Sequence, residues 1–294
     1  MNPTIIEVAI NGETQRSRNI HVPLSPSEIA EDAITCLARG ASIIHNHMGD
    51  ITLAGGPAAD RYGQAWAPIL DKFPEAILCP TSVLVPDVVL SVAHIAPCVA
   101  AGARMASLDP GVENFANSGK GGLPGPRRGM LANSIDKIEI ILDTMRDACA
   151  GPALGIYEPG FLRPILAYRR AGILPRGTLA KLYFGGDCNL MDGGQGGFSF
   201  GLPPTRAALD AYVEMLEGSG LPWSVAVPGG DVVRSGLARF ALERGGHLRI
   251  GIEDYAGGRM PTNIELLDEA VTLCHEMGRP PATCAQAAVI LDLP

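Results

Sequence analysis

Short apolar runs alternate with helical patterns along almost the whole chain, and this alternation limits the folds that the sequence can adopt. Eight runs are found, at residues 7–10, 41–44, 76–79, 105–108, 153–157, 182–184, 223–227 and 247–252. Strands that are apolar throughout and alternate with helices are typical of parallel sheets covered on both faces. Eight strand–helix pairs in 294 residues therefore predict an α/β fold, a (β/α)8 TIM barrel.

One alternative architecture is a doubly wound open sheet, because such short runs make the count of eight uncertain. Helical patterns are found at residues 25–39, 58–72, 87–93, 134–149, 161–171, 205–217, 232–243 and 264–277. No linker divides them, which predicts one domain over residues 1–294. Segments 109–133 and 187–204 are rich in Gly and Pro without periodicity, so we expect both to be long loops on the active face of the barrel.

The composition excludes several classes of protein. Hydrophobic residues make up 47% of the chain, which argues against global disorder. A net charge of −8 without a basic block argues against nucleic-acid or anionic-membrane partners. No apolar run reaches the roughly 18–20 residues of a membrane span, and the N-terminus lacks the features of a secretory signal. The seven cysteines occur singly, which predicts reduced, buried thiols in a cytoplasmic protein.

His45 and His47 form the sharpest local feature of the sequence. In extended backbone, side chains two residues apart point to the same side, and two imidazoles at a strand end suit Zn²⁺ or a similar ion. Glu253 follows the eighth run and is the expected third ligand, because the last strand of a closed barrel lies beside the first. From residue type and spacing alone, metal binding and chance proximity of the two histidines are equally supported.

Two further charged residues accompany Glu253. Asp254 is adjacent to it, and Arg249 lies four residues earlier inside the same apolar run. Glu253 and Asp254 could be solvated acids at a helix N-terminus, or they could divide metal binding and proton abstraction between them. Arg249 could form a salt bridge inside the barrel, or its guanidinium could bind a substrate carboxylate.

Polar residues at predicted strand ends are expected to line the active face. They include Glu13, Thr81, Ser82, Ser107, Asp109 and Glu158. His247 instead begins the eighth run, so we expect it at the opposite, stabilising end of the barrel. Three other histidines have no ligand-spaced neighbour and are expected in packing or at the surface: His21, His94 and His275.

Several stretches carry a resemblance to a known family. Residues 25–31 and 40–47 are similar to that family's PEEIA…GASIVHLHVRD pattern, and residues 105–109 match a further short stretch. Residues 245–254 read GGHLRIGIED, close to the family's GGHVRVGFED. On these motifs the chain resembles the β-keto acid cleavage enzymes over nearly its whole length.

The resemblance implies a (β/α)8 barrel with Zn²⁺ that commonly assembles as a homo-oligomer, a tetramer. The implied reaction takes a β-keto acid and acetyl-CoA to acetoacetate and a new acyl-CoA. The implied metal ligands are His45, His47 and Glu253, with Asp254 as the acid/base group and Arg249 as its charged partner. The residues implied to bind substrate are Glu13, Thr81, Ser82 and Ser107.

The chain also departs from the family pattern. Gly49 stands where the family has Arg, residues 227–230 lack a second basic residue, and Gly155 stands where an acid is common. Two rival functions therefore stay open: a metal-dependent barrel hydrolase or lyase that acts without CoA, and a barrel that binds metal or acyl-CoA without catalysis. A hydrolase of the amidohydrolase type is disfavoured, because only His94 lies between His47 and His247 and it follows a predicted helix rather than a strand.

Overall fold

The computed structural model describes residues 3–188 and 200–294. The strands in this part of the chain are β1 Ile6–Ala9, β2 Ile43–Asn46, β3 Ile77–Pro80, β4 Met105–Leu108, β5 Val112–Ser118, β6 Pro124–Ala132, β7 Gly151–Ile156, β8 Leu179–Tyr183, β9 Trp223–Ala226 and β10 His247–Ile250. Eight of them form a parallel sheet in the order β3-β2-β1-β10-β9-β8-β7-β4. A bridge between Leu78 of β3 and Ala103, just before β4, joins the two ends of this sheet. The predicted TIM barrel is confirmed, and the alternative of an open sheet is wrong.

Helices cover the outside of the barrel. The described residues contain α1 Pro26–Ala38, α2 Gly55–Lys72, α3 Val88–Val92, α4 Ile95–Ala100, α5 Ile135–Asp147, α6 Pro159–Arg170, α7 Arg206–Leu216, α8 Leu237–Glu243, α9 Asn263–Glu276 and α10 Cys284–Leu291. Helix α1 begins as its sequence predicts, because Ser25 Oγ accepts a hydrogen bond from the Glu28 amide and the Glu28 carboxylate accepts one from the Ser25 amide. Pro26 then occupies the first helical position, where its missing N–H costs nothing.

Three helical segments differ from the prediction. A second helix, α4, directly follows α3, and α10 was not expected at all. Residues 232–236 form turns rather than the start of a helix, because Asp231 Oδ1 accepts hydrogen bonds from the amides of Val233 and Arg234. Such local side-chain-to-backbone bonds compete with helix formation, so α8 begins only at Leu237.

The segment 109–133 was expected to be a loop, and this prediction is wrong. Strands β5 and β6 pair antiparallel from Val112 opposite Ala132 to Ser118 opposite Pro124, with an irregularity before Ser118. This β5–β6 hairpin forms a separate two-stranded sheet between β4 and α5. Its Gly and Pro residues, which are uncommon inside strands, concealed it in the sequence. The other expected loop, 187–204, lies mainly outside the described residues.

The barrel interior changes from apolar to charged along its axis. Near the N-terminal ends of the strands, an apolar layer packs against α10 and contains Ile5, Ile43, Ile77, Met105 and Leu179. Side chains alternate between the two faces of a strand, so residues two positions further along point into the same interior. Those positions hold the buried polar side chains Glu7, His45 and Lys181. Strand periodicity thus brings charged groups to the upper part of the barrel.

Two expectations from composition bear on the location of the chain. Among the described residues, none of the helices combines the length and the apolar character needed to cross a membrane. All seven cysteines are free thiols, as the single spacing of the cysteines predicted. The expectation that they are all buried is wrong at two positions, because Cys149 is exposed and Cys284 is partly exposed.

Candidate metal centre and active site

Strand β2, and the turn after β10, bring together the three residues predicted to hold a metal. The strand extends two residues further than the sequence indicated, so His45 lies in it and His47 directly follows it. Glu253 Oε2 lies 3.4 Å from His45 Nε2, and Glu253 Oε1 lies 3.7 Å from His47 Nε2. One ligand atom of each residue lies within 4.8 Å of the others. This buried group could hold a metal ion.

The backbone fixes the orientation of the His45 ring. His45 Nδ1 lies 3.1 Å from the Cys79 carbonyl oxygen, which can only accept a hydrogen bond. Nδ1 therefore carries the hydrogen, and the lone pair of Nε2 faces Glu253. Burial and the nearby charges of Arg249 and Lys181 lower the pKa of His45 well below its usual value. The imidazole is consequently neutral, which is the form that binds metals.

His47 is held by two residues that follow β1. Its backbone amide donates to Asn11 Oδ1 over 2.8 Å, and Asn11 Nδ2 donates to the His47 carbonyl over 3.0 Å. His47 Nδ1 lies 3.0 Å from Glu13 Oε1, with the Glu13 side chain 55% exposed. A carboxylate on Nδ1 leaves Nε2 free to face an ion. Glu13 thus contacts a predicted ligand, and its predicted substrate-binding role stays a prediction.

The donor set fits a divalent transition metal. Among the described residues, His47 Nε2 and Glu253 Oε2 are buried and have no hydrogen-bond partner. Such buried unpaired atoms are costly, and a cation between them would satisfy both. Two imidazole nitrogens and one carboxylate oxygen are the ligands of catalytic Zn²⁺ sites, which keep a further position open for substrate.

Arg249 connects three carboxylates beneath this group. Its Nη1 lies 2.6 Å from Glu7 Oε1 and its Nη2 lies 2.9 Å from Glu253 Oε1. Its Nε and Nη2 reach the two Asp254 oxygens at 2.8 and 3.2 Å. Each guanidinium nitrogen therefore has a carboxylate partner. Of the two interpretations of Arg249, the geometry matches the salt bridge inside the barrel rather than an open fork for substrate.

Asp254 is buried beside Glu253, and both acids contact Arg249. Residues 251–254 form a turn rather than extended backbone. Burial raises the pKa of the Asp254 carboxyl, Arg249 acts against this rise, and the negative charge of Glu253 adds to it. A carboxylate with these surroundings is a reasonable proton acceptor. Its acid/base role, like the roles of the other predicted site residues, stays a prediction.

The predicted substrate-binding hydroxyls lie at the junction of β3 and β4. Ser107 Oγ donates to the Pro80 carbonyl and Ser82 Oγ donates to the Ser107 carbonyl, each over 2.9 Å. The Thr81 amide donates to the hydroxyl oxygen of Tyr62 over 3.1 Å. The two serine bonds join β3 and β4 where the barrel closes, and the Thr81 bond joins the end of β3 to α2. All three residues lie at the active face, as predicted, and their contact with substrate stays a prediction.

Sequence reasoning missed two buried charges of this site. Glu7 and Lys181 are almost fully buried, with Lys181 Nζ 3.5 Å from Glu7 Oε1. Burial alone would raise the pKa of Glu7, but Lys181 and Arg249 outweigh it and hold that pKa below its usual value. The available signal was the same as for Arg249: a charged residue in or beside an apolar strand is costly unless it is paired.

The remaining histidines lie away from the metal-ligand group. His247 accepts a hydrogen bond at Nδ1 from the Ile5 amide, at the apolar end of the barrel, which agrees with its predicted structural role. His94 is buried between α3 and α4, whereas His21 and His275 are exposed. These positions agree with the predicted packing and surface roles.

Comparison with known proteins identifies the family. The sequence model of the beta-keto acid cleavage enzyme family matches residues 3–293. The chain is 28% identical over 299 residues to the 3-oxoadipate:acetyl-CoA acetyltransferase of Cupriavidus necator, covering 99% of this chain and 95% of that protein. It is 28% identical over 306 residues to the 3-keto-5-aminohexanoate cleavage enzyme of Fusobacterium nucleatum, covering 100% of this chain and 99% of that protein.

A more distant relative agrees with this assignment, and a solved structure supports the fold. The 3-dehydrocarnitine:acetyl-CoA trimethylamine transferase of Rhizobium meliloti is 23% identical over 290 residues, covering 89% of this chain and 87% of that protein. The apo structure of ObcA superposes with a TM-score of 0.68 at 18% identity, covering 93% of this chain and 66% of that one, and supports the barrel fold. The chain belongs to the beta-keto acid cleavage enzyme family, so the enzyme class and reaction type expected from its motifs are confirmed at the level of that family.

Proposed function

We propose that this chain takes a β-keto acid and acetyl-CoA to acetoacetate and a new acyl-CoA, with Zn²⁺ held by His45, His47 and Glu253. The observation that carries the proposal is Arg249, which contacts both the predicted ligand Glu253 and the predicted base Asp254. One guanidinium thus fixes the distance between the metal-ligand group and the proton acceptor. The family match and the acetyl-CoA named for two relatives support the substrates.

The charges of the site suit an anionic substrate once a cation is bound. The buried set contains three carboxylates, Glu7, Glu253 and Asp254, and two cations, Lys181 and Arg249, which gives a net charge of −1. A divalent ion changes this to +1, which attracts a β-keto carboxylate. When bound, the ion supplies Lewis acidity to the keto oxygen.

Asp254 is the proton carrier in the proposed reaction. Its carboxylate removes a proton from the carbon between the keto and carboxylate groups, and that carbon then attacks the thioester carbonyl of acetyl-CoA. The released CoA thiolate attacks the original keto carbon. The bond between that carbon and the carbon that attacked acetyl-CoA then breaks, which releases the new acyl-CoA, and Asp254 returns the proton to the remaining acetoacetate. Arg249 holds both Asp254 oxygens, so it keeps the acceptor in place and offsets the negative charge that moves through the site.

The test is incubation of the purified protein with acetyl-CoA and a panel of β-keto acids, followed by mass spectrometry of the acyl-CoA products. We expect a new acyl-CoA, and a loss of roughly 10²–10⁴-fold in rate for Asp254→Asn with metal content retained. His45→Ala should lose both metal and activity, and Asp60→Asn, at an exposed position of α2, is the matched control.

Absence of any new acyl-CoA from metal-loaded protein would contradict the proposal. The missing basic residues at Gly49 and Gly230 would then indicate one of the two rivals, a hydrolase or lyase without CoA or a non-catalytic binding barrel. Assays without CoA and a binding measurement with acyl-CoA separate these rivals. Elemental analysis of the purified protein tests Zn²⁺ against other divalent metals that the same ligands accept.

We also propose that the chain is a cytoplasmic homo-oligomer, a tetramer. The resemblance to the family supports the assembly, and so do the exposed apolar side chains of the β5–β6 hairpin, Leu123 at 68% and Met130 at 66% exposure. The seven free thiols support the location. Light scattering on the purified protein gives its mass in solution, and a monomer would contradict the assembly.

A further inference from the structure

The three residues of the metal-ligand group are all tied to the end of β1. The Ile10 amide donates a hydrogen bond to the His45 carbonyl over 3.0 Å, and the Glu253 amide donates one to the Ala9 carbonyl over 3.2 Å. The third ligand, His47, is held by the side chain of the residue that follows Ile10. Three consecutive residues therefore support the whole group, and a shift of any ligand against them would open it.

A bulge lies between the end of β10 and this support. The Leu248 amide donates to the Ile5 carbonyl and the Glu253 amide donates to the Ala9 carbonyl, so the β10 side contains one residue more than the β1 side. Such an extra residue interrupts the regular ladder, and beside an active site it changes the direction of a side chain. Glu253 therefore reaches the two histidines from beyond the regular ladder, whose last pair is Val8 with Ile250.

One side chain spans this irregularity. Asn263 is the first residue of α9 and is fully buried. Its Oδ1 accepts a hydrogen bond from the Ile252 amide and its Nδ2 donates one to the Ile10 carbonyl, each over 2.8 Å. Ile252 directly precedes Glu253, and Ile10 also holds the backbone of His45. A single amide thus sets the distance between the backbone of the acid ligand and the backbone that supports the histidines.

Asp32 of α1 fixes the orientation of this amide. Asn263 Nδ2 also donates to Asp32 Oδ2, over 2.6 Å. A backbone carbonyl and an ionised carboxylate can only accept hydrogen bonds, so the amide nitrogen faces both of them and the amide oxygen is left for Ile252. Rotation of the amide by half a turn would break all three bonds. Asp32 therefore holds Asn263 in the arrangement that joins the two backbone segments.

We propose that Asn263 is a positioning residue for the metal-ligand group, which keeps Glu253 at the distance from His45 and His47 that a shared ion needs. This inference rests on the proposed function of the same site. Asn263 acts through the backbone of Ile252 and Ile10 and takes no part in the reaction itself. Removal of a residue that orients metal ligands typically costs 10–100-fold in metal affinity.

The test is Asn263→Asp, which keeps the shape and the acceptor for the Ile252 amide but removes the donor to the Ile10 carbonyl. We expect the affinity for Zn²⁺, measured by competition with a chromophoric chelator, to fall by roughly tenfold or more. The visible spectrum of the Co²⁺-loaded protein should also change, because the same ligands accept Co²⁺ and its absorption depends on their geometry. An unchanged affinity or an unchanged spectrum in the folded variant would overturn the proposal.

Thr262→Ala is the matched control, because it weakens the same helix and leaves the Asn263 bonds in place. Thr262 Oγ1 accepts a hydrogen bond from the Glu265 amide over 3.1 Å, and loss of such a cap destabilises a helix. We expect this variant to unfold at a lower urea concentration than the wild type and to bind Zn²⁺ with unchanged affinity. An equal loss of Zn²⁺ affinity in Thr262→Ala would show that a weakened α9 is responsible, which would overturn the proposal.

A second variant guards against misfolding. If the two carboxylates that Asn263→Asp brings together prevent folding, Asn263→Ala takes its place. This change removes the bonds to Ile10, Ile252 and Asp32 without adding a charge, and the same measurements of Zn²⁺ affinity and Co²⁺ spectrum decide the proposal.

Metal binding and crystal structures separate this inference from the proposed function. If the wild type binds Zn²⁺ but converts no β-keto acid, the proposed reaction fails, and the Zn²⁺ affinities still decide the inference. If the wild type binds no divalent ion, the proposed metal site fails, and crystal structures of the metal-free wild type and variant decide. A Glu253 carboxylate displaced from His45 beyond the present 3.4 Å in the variant supports the inference, and an unchanged distance overturns it.

Discussion

Gly12 lies so close to Glu253 that a side chain at position 12 would occupy the space of the Glu253 side chain. A Cβ there would overlap Glu253 Cγ and lie 2.9 Å from Cδ. Gly12→Ala should therefore push the carboxylate away from His45 and His47 and lower the affinity for metal. We expect a loss of roughly tenfold or more, measured by competition with a chromophoric chelator.

The control for this change is Gly49→Ala. Both glycines have positive φ, +54° at Gly12 and +87° at Gly49, so alanine is strained at each. A Cβ at Gly49 meets nothing within 4 Å. Similar losses of metal affinity in both variants would show that backbone strain, rather than the contact with Glu253, is responsible.

Glu13→Gln tests the support of His47. The carboxylate on His47 Nδ1 holds the ring with Nε2 toward Glu253, and removal of such a partner typically costs 10–100-fold in metal affinity. Because Glu13 is more than half exposed, we expect the metal affinity to fall by about tenfold. Glu31→Gln, exposed on α1, is the control. An unchanged metal affinity with a raised KM for the β-keto acid would instead indicate that Glu13 contacts substrate.

Glu7 should matter more for stability than Lys181. Glu7→Gln leaves Lys181 and the Nη1 side of Arg249 without their buried carboxylate, and breaking a buried pair in this way costs about 3–5 kcal/mol. Lys181→Met leaves Glu7 paired with Arg249 at 2.6 Å, so we expect the free energy of unfolding to fall by only about 1–2 kcal/mol. Urea unfolding gives both values, and a reversed order would show that Lys181 is the main partner of Glu7.

His247 should make the fold sensitive to acid. Burial, with Arg279 nearby, lowers the pKa of His247 to about 3 in the folded chain, against about 6.5 when unfolded. Below pH 6.5 the unfolded chain takes up a proton that the folded chain does not, so stability falls as pH falls. The loss between pH 8 and pH 5 is about 2 kcal/mol.

His247→Gln removes this titrating group while keeping a side-chain acceptor for the Ile5 amide. We expect the fall in the free energy of unfolding between pH 8 and pH 5 to be smaller than in the wild type by that amount. Urea unfolding at the two pH values measures it, and the same fall in both proteins would contradict the assignment.

The barrel could be predicted because its strands are apolar throughout and its helices carry caps, as at Ser25 and Glu28. Strand ends were less certain, since Asn46 and Pro80 do not resemble strand residues, although they pair with each other in the sheet. The β5–β6 hairpin was missed for a different reason. It packs outside the barrel, so its residues carry neither the continuous apolar pattern of a buried strand nor a clean alternation.

The metal-ligand group could be predicted because its histidines are two residues apart and its acid follows a recognisable strand. Glu7 and Lys181 were missed although each is a charged residue in or beside an apolar run, because the run does not show which partner lies across the interior, between β1 and β8. The contact between Asp109 and the space above Gly155 has the same character. The glycine in one strand and the acid after the other acquire meaning only when β4 and β7 are seen side by side.

The β5–β6 hairpin brings Phe115 to the barrel mouth from an element that contributes no strand to the barrel. The buried charges of the site lie in β1, β8 and β10 or in the turn after β10. Because these strands hold the barrel together, evolution can exchange the charged residues only at the risk of unfolding. The hairpin is under no such restraint and can lengthen, shorten or change its rings while the barrel persists. Divergence in substrate preference among descendants of this protein can therefore proceed through the hairpin first, with the reaction inherited intact.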